Sequence, residues 1–282
     1  MKRDEIIFSA ALVVGCTVLT FSGLPFGIGL AVSCAAFSLL WLLSLALRNA
    51  SIVDVFWGPG FVLVGWVYFA VAEQHTGVGL LVCVLVTIWG FRLAAHIGLR
   101  NAGRGEDFRY RQWRENSGRA FWWVSFLKVF MLQALVLWVV SSPLLVAQSG
   151  KLEGWKILIL AAGLVLWISG FGFEALADWQ LMLFKADPAN RGRVLDSGLW
   201  GLSRHPNYFG EAVLWWGIGL IALSVGGALA LLGPVFLTFT LVRVSGVALL
   251  DRELVDRRPG YDRYIRSTPA FVPMRIRRRR VR

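Results

Sequence analysis

The stretch Ser203-Arg204-His205-Pro206-Asn207-Tyr208-Phe209-Gly210-Glu211 carries the densest chemistry in the chain. Pro206 suits the first turn of a helix, where no amide donor is needed. In a helix continuing from it, Arg204, Asn207, Tyr208 and Glu211 fall at i, i+3, i+4 and i+7 and share one face. An amide, a phenol and a carboxylate then enter an apolar segment together. A carboxylate in such a segment is costly and usually points to a partner or a cavity. The stripe either builds a hydrogen-bond cluster between helices or faces a bound molecule.

A second group runs from Glu174 and Asp178, one helical turn apart, to Lys185, then through Asp187-Pro188-Ala189-Asn190 to Arg191 and Arg193. Carboxylates hold ribose hydroxyls, and Arg and Lys hold phosphates. The same residues also suit an ordinary basic boundary beside a membrane span. A third group joins Asp251-Arg252-Glu253, Arg257-Arg258-Pro259-Gly260-Tyr261, Tyr264 and Phe271-Val272-Pro273. It is expected to form a flap over a site built by the first two. Asp54 stands just before an apolar run, and Trp89, Arg92 and His96 share a helix face at i, i+3 and i+7. No His, Cys and carboxylate set has zinc spacing, so no metal is expected. No GxGxxG follows a strand, and neither a P-loop nor a GxSxG motif occurs. A nucleotide would have to be gripped by helix ends and loops.

The elements that must position these residues are membrane helices. Of 282 residues, 57% are hydrophobic and 16% charged; mean hydropathy is +0.63. A soluble domain carries about 25% charged residues. A span needs about 20 apolar residues. Eight candidates lie at 6–22, 26–47, 56–72, 77–97, 121–147, 155–176, 209–225 and 228–247, with seven if the first is lost. The start resembles a signal peptide without a cleavage site and reads as a retained helix. Cys16, Cys34 and Cys83 lie within apolar runs and read as small buried hydrophobes.

The net charge is +12. With an inner N-terminus and eight spans, Lys151 and Lys156 are the only basic residues on the outer side. This one-sidedness obeys the positive-inside rule and puts both termini and the chemistry-rich loops in the cytoplasm. The charge therefore serves topology and anionic lipid, with no nucleic-acid partner and no obligatory protein partner inferred. The run Arg275–Arg282 reads as a lipid-facing tail. The expected fold is all-α, a polytopic transmembrane bundle. It divides into N-terminal helices (1–48), a catalytic membrane domain (49–273) and a basic tail (274–282).

Taken together, Asp54-xx-Trp57-Gly58, Gly105-Glu106-Asp107-x-Arg109-Tyr110, Glu174-xxx-Asp178, Ser203–Glu211 and Arg257–Tyr261 resemble the steroid 5α-reductase-like superfamily over about 50–273. The similarity is to its bacterial and plant membrane branch, with a 3-oxo-5α-steroid 4-dehydrogenase-like C-terminal domain. The resemblance implies an NADPH-dependent oxidoreductase that reduces the carbon–carbon double bond of a lipid-like enone by hydride transfer to the β-carbon. It implies cofactor contacts at Asp178, Lys185, Arg191, Arg193, Arg204, His205, Asn207, Glu211, Arg258 and Tyr261. Substrate contacts would fall at Trp57, Trp89 and Arg92, and catalytic roles at Asp54, Tyr208 and Glu211. Asp54 would serve as a protonated acid among Val53, Phe56 and Trp57, with Tyr208 or water as the fallback. Two departures stand out: Glu174 replaces a family Asn, and Trp89 replaces a carbonyl-facing Tyr. The Arg-His-Pro-x-Tyr stretch also resembles isoprenylcysteine carboxyl methyltransferases, which use S-adenosylmethionine. A third alternative is a non-enzymatic lipid-binding membrane protein.

Overall fold

The structure, a computed structural model, describes residues 23–244 and 260–274. Among these every regular element is helical. The first expected span (6–22), Cys16, Asp251–Glu253, Arg257, Arg258, Pro259 and the basic tail lie outside the described residues. The chain divides into two compact units, one comprising the residues up to Leu160 with Gly219–Gly233, the other Ala161–Ile218 with the chain from Pro234 onward.

In the first unit, α1 (Leu24–Leu47) begins after Gly23 with Pro25 in its first turn, where proline's missing amide costs nothing. α2 (Ile52–Val71) starts four residues earlier than the apolar run suggests, which places Asp54 inside its first turn rather than before it. A carboxylate is favoured there by the helix dipole. α3 (Gly77–Asn101) is capped by the Thr76 hydroxyl, which accepts from the Gly79 amide at 3.0 Å. α2 and α3 cross closely at Gly58 and Gly90: a Cβ on Gly58 would stand 2.2 Å from the Gly90 carbonyl oxygen. The long α4 (Phe108–Val140) changes direction at Gly118, where φ is +50°, and passes through a π-helical stretch, Phe126–Met131. Its polar first segment, Phe108–Ser117, precedes an apolar one. Trp138 joins α4 to α1 by donating to the Phe26 carbonyl at 2.8 Å and stacking on the Phe26 ring. α5 (Ser142–Val146) follows.

α6 (Lys156–Ala186), α7 (Pro206–Leu223), α8 (Leu232–Phe239) and α9 (Tyr261–Ser267) complete the described helices. Within the second unit, glycines bring α6 and α7 into backbone contact. A Cβ on Gly217 would meet the Trp167 amide at 2.6 Å, one on Gly170 the Leu214 amide at 2.4 Å, and one on Gly210 the Glu174 amide at 2.6 Å. Small residues at helix contacts are how membrane helices approach closely when no hydrophobic effect drives them together. The opposite face of α6 is apolar and exposed, as at Leu158, Val165 and Ile168. A lipid environment accepts such a face.

Among the described residues, five helices are long and apolar enough to cross a membrane: α1, α2, α3, α4 and α6. The expected segments 209–225 and 228–247 correspond to α7, of 18 residues, and to the shorter apolar helix Ala228–Arg243.

Candidate functional site

The glycine contact between α6 and α7 sets the geometry of the second unit's site. With the backbones this close, the residues flanking the contact meet side by side. Glu174 and Asp178, one turn apart on α6, are both buried, at 2% and 4% exposure. On α7, Asn207 reaches across and donates from Nδ2 to Asp178 Oδ1 at 3.2 Å, while its Oδ1 accepts from the Tyr208 amide at 3.1 Å. Glu211, one turn deeper, is also buried. Three carboxylates and an amide are therefore gathered at one helix contact. Buried carboxylates are tolerated only where donors meet them.

The start of α7 is shaped by Pro206 at its first position. His205 caps the helix from outside, and its amide donates to the Ser203 hydroxyl at 3.1 Å. The buried His205 ring lies parallel to Tyr208, 5.6 Å between centroids. Asn207, Tyr208 and Glu211 keep the expected helical face. Arg204 does not, because the helix begins two residues after it. Its guanidinium instead donates to the Ile265 and Thr268 carbonyls at 3.0 and 2.6 Å. Tyr261 and Tyr264 are buried on α9 and stand edge to face at 5.5 Å. Arg258 lies outside the described residues.

Lys185, in the last turn of α6, and Arg191 and Arg193, in the chain that follows it, are exposed. The intervening loop is ordered by Asp187, whose carboxylate accepts from the Ala189 amide at 2.9 Å, and by Asn190, which donates to the Phe184 carbonyl at 3.2 Å. Trp200 closes back on the helix, donating to the Ala177 carbonyl at 3.0 Å.

The first unit holds a separate polar cluster. Asp54 Oδ1 accepts from the Tyr110 hydroxyl at 2.7 Å, and Oδ2 accepts from Arg109 at 2.9 Å. The surroundings expected from Val53, Phe56 and Trp57 alone are thus joined by a phenol and a guanidinium from α4. Arg109 also grips Asp107 at 2.9 Å. Glu106 binds Arg114 through both oxygens, at 2.7 and 3.0 Å, and accepts the Ala50 amide at 2.8 Å. Burial alone would push the Glu106 carboxyl up. The Arg114 guanidinium and the Ala50 amide outweigh that together and hold it below the ordinary carboxylate range. Asp107 is likewise held low against its own burial by Arg109. Trp57 packs edge-on against Phe61 at 5.1 Å, and the fully buried Trp89 lies 5.8 Å from the same ring. Arg92 is half-buried on α3.

Sequence reasoning treated Arg109 and Tyr110 only as parts of a motif and missed them as the donors to Asp54. They lie 55 and 56 residues away, and no local pattern pairs them. It also missed Ser203 as the acceptor that orders the His205 turn.

A family profile described as "Protein of unknown function (DUF1295)" matches residues 40–268. The chain therefore belongs to this family, a steroid 5α-reductase-like membrane family. An uncharacterized protein of Schizosaccharomyces pombe is 25% identical over 283 residues, covering 88% of this chain and 80% of its own length. The probable O-methyltransferase ustE of Ustilaginoidea virens is 36% identical over 83 residues, 29% of this chain and 28% of its own. No solved structure matches the chain.

Proposed function

We propose that this DUF1295 member is a membrane-embedded, NADPH-dependent reductase of the carbon–carbon double bond in a lipid-like α,β-unsaturated carbonyl. The observation that carries the reading is the Asp178–Asn207 bond beside the buried Glu174 and Glu211 at the α6–α7 contact. The donor set fits a dinucleotide. Buried carboxylates and an amide suit hydroxyl and carboxamide groups, and the exposed Lys185, Arg191 and Arg193 suit phosphates. When bound, NADPH supplies the hydride. Asn207 and Glu211 hold and orient its nicotinamide end, while Asp178 and Lys185 hold the nucleotide. Tyr261 closes over it. The glycine contact keeps these groups at fixed spacing and excludes water from between the helices.

A reduced enone develops negative charge on oxygen and needs a donor. Tyr208 is the group we assign to it: a half-buried hydroxyl one turn before Glu211, on the same helix face. Both oxygens of Asp54 already accept hydrogen bonds, so its geometry supports an anchoring role that ties α2 to α4. The same reading places eight spans with both termini and the site in the cytoplasm, supported by the one-sided Lys and Arg distribution.

A test is NADPH oxidation by the purified protein with enone lipids, set against Tyr208→Phe. Loss of a preorganised donor costs roughly 10²–10³ in rate. The reading expects that loss with nucleotide affinity unchanged. Absence of turnover with every enone in a total-membrane lipid extract would remove the reductase assignment. The similarity to a probable O-methyltransferase over 83 residues favours a second reading, transfer of a methyl group from S-adenosylmethionine.

A further inference from the structure

We infer that Arg204 is a positioning residue that straps Gly260–Met274 onto the start of α7 and thereby holds Tyr261 in place. The inference rests on the proposed function for what Tyr261 faces, but not for the strap. α9 has seven residues, too few to be stable alone. Its last carbonyls need donors from elsewhere. Arg204 supplies them: one guanidinium nitrogen donates to both the Ile265 and Thr268 carbonyls, at 3.0 and 2.6 Å, and the Arg204 amide donates to Pro269 at 2.9 Å. A cation at a helix C-terminus is also favoured by the dipole.

Neighbouring contacts repeat the pattern. The Ser203 hydroxyl donates to the Phe271 carbonyl at 2.8 Å, and the Met274 amide donates to the Leu202 carbonyl at 3.0 Å. The Tyr264 hydroxyl donates to the carbonyls of Trp200 and Ser203. Phe209 meets Phe271 edge to face at 5.7 Å. Tyr261 and Tyr264, three residues apart on α9, are buried by this closure. The residues leading into α7 thus fasten a second chain segment by its backbone. Nη1 of Arg204 is thereby engaged by two carbonyls of this segment.

Limited trypsin digestion of the full-length protein in detergent tests this without cofactor. Arg263 and Arg266 are exposed on α9. A hydrogen bond from a charged donor affects an equilibrium by about tenfold or more, so Arg204→Ala should raise cleavage at these two sites by that order. Cleavage after Arg111 should stay at the wild-type rate, and Arg204→Lys, which keeps a charge and several donors, should restore protection. Under the proposed function, Kd for NADPH and NADH should rise by one common factor in Arg204→Ala. Unchanged cleavage at Arg263 and Arg266, equal acceleration at Arg111, or weakening confined to NADPH would each overturn the inference. If the wild type binds neither nucleotide, the cofactor assignment fails, and the cleavage pattern still decides the strap.

Discussion

Replacing Gly210 by alanine is the sharpest probe of how the second unit holds its polar cluster. The added Cβ would stand 2.6 Å from the Glu174 amide nitrogen, 2.8 Å from the Glu174 Cβ and 2.8 Å from the Gly170 carbonyl oxygen. Comfortable contact is about 3.5–4.0 Å, so α6 and α7 must separate locally by roughly 1 Å. Two of the three neighbours are backbone and cannot rotate away. Overpacking of this kind costs about 1–3 kcal/mol, and rigid neighbours put it at the upper end. The same shift would stretch the 3.2 Å Asn207–Asp178 hydrogen bond beyond bonding range. Gly172 is the control: it lies on α6 with nothing within 4 Å of its added Cβ. There alanine should be neutral or stabilise by up to about 1 kcal/mol, because it is the better helix former. Thermal unfolding in detergent, with and without NADPH, reads both variants. Gly210→Ala should melt lower and lose nucleotide stabilisation, while Gly172→Ala should do neither. Identical melting and binding for the two variants would refute the idea that close helix approach builds the site.

Three further outcomes follow from the same geometry. Glu106 and Asp107 are held below the ordinary carboxylate range, so the unfolded chain binds more protons than the folded one in that window. Their contribution is therefore full above the ordinary carboxylate values and lost as pH falls through the lower folded values. Glu106→Gln should cost about 1–3 kcal/mol near neutral pH by breaking the two-point grip on Arg114, with the deficit against wild type shrinking below about pH 4 in acid-unfolding curves. A constant deficit down to pH 2 would contradict it. Arg191→Ala with Arg193→Ala should weaken NADPH much more than NADH in titrations, since only NADPH carries the 2′-phosphate; equal losses would assign both arginines to topology. A reporter fused after Arg282 should read out as cytoplasmic, and activity on the opposite side would overturn the orientation.

The helical class and the α6–α7 carboxylates were legible because apolar periodicity is local and charges inside it stand out. Asn207, Tyr208 and Glu211 kept their common face for the same reason. Arg204 broke from it because the helix starts at Pro206, as that proline indicated, while the common face was extended two residues upstream of it. Asp54 shows the other limit. Its place in a first turn was readable from the dipole preference for acids, whereas its donors lie 55 and 56 residues away. Gly163 and Gly170 on one helix, and Gly210 and Gly217 on another, are each seven residues apart, a spacing that marks a close helix contact. Spacing alone does not say which helix is met. No local pattern marks Gly118 as the place where α4 turns; its φ of +50° shows why a glycine stands there.

The central claim is that the cluster around Asp178, Asn207 and Glu211 binds a nicotinamide dinucleotide. Direct titration of the purified protein in detergent with NADPH and, separately, with S-adenosylmethionine tests it most simply. The account predicts saturable NADPH binding that is lost in Glu211→Gln and Asn207→Ala, with S-adenosylmethionine neither binding nor competing. Saturable S-adenosylmethionine binding that depends on the same residues, with none for NADPH, would contradict it and favour methyl transfer.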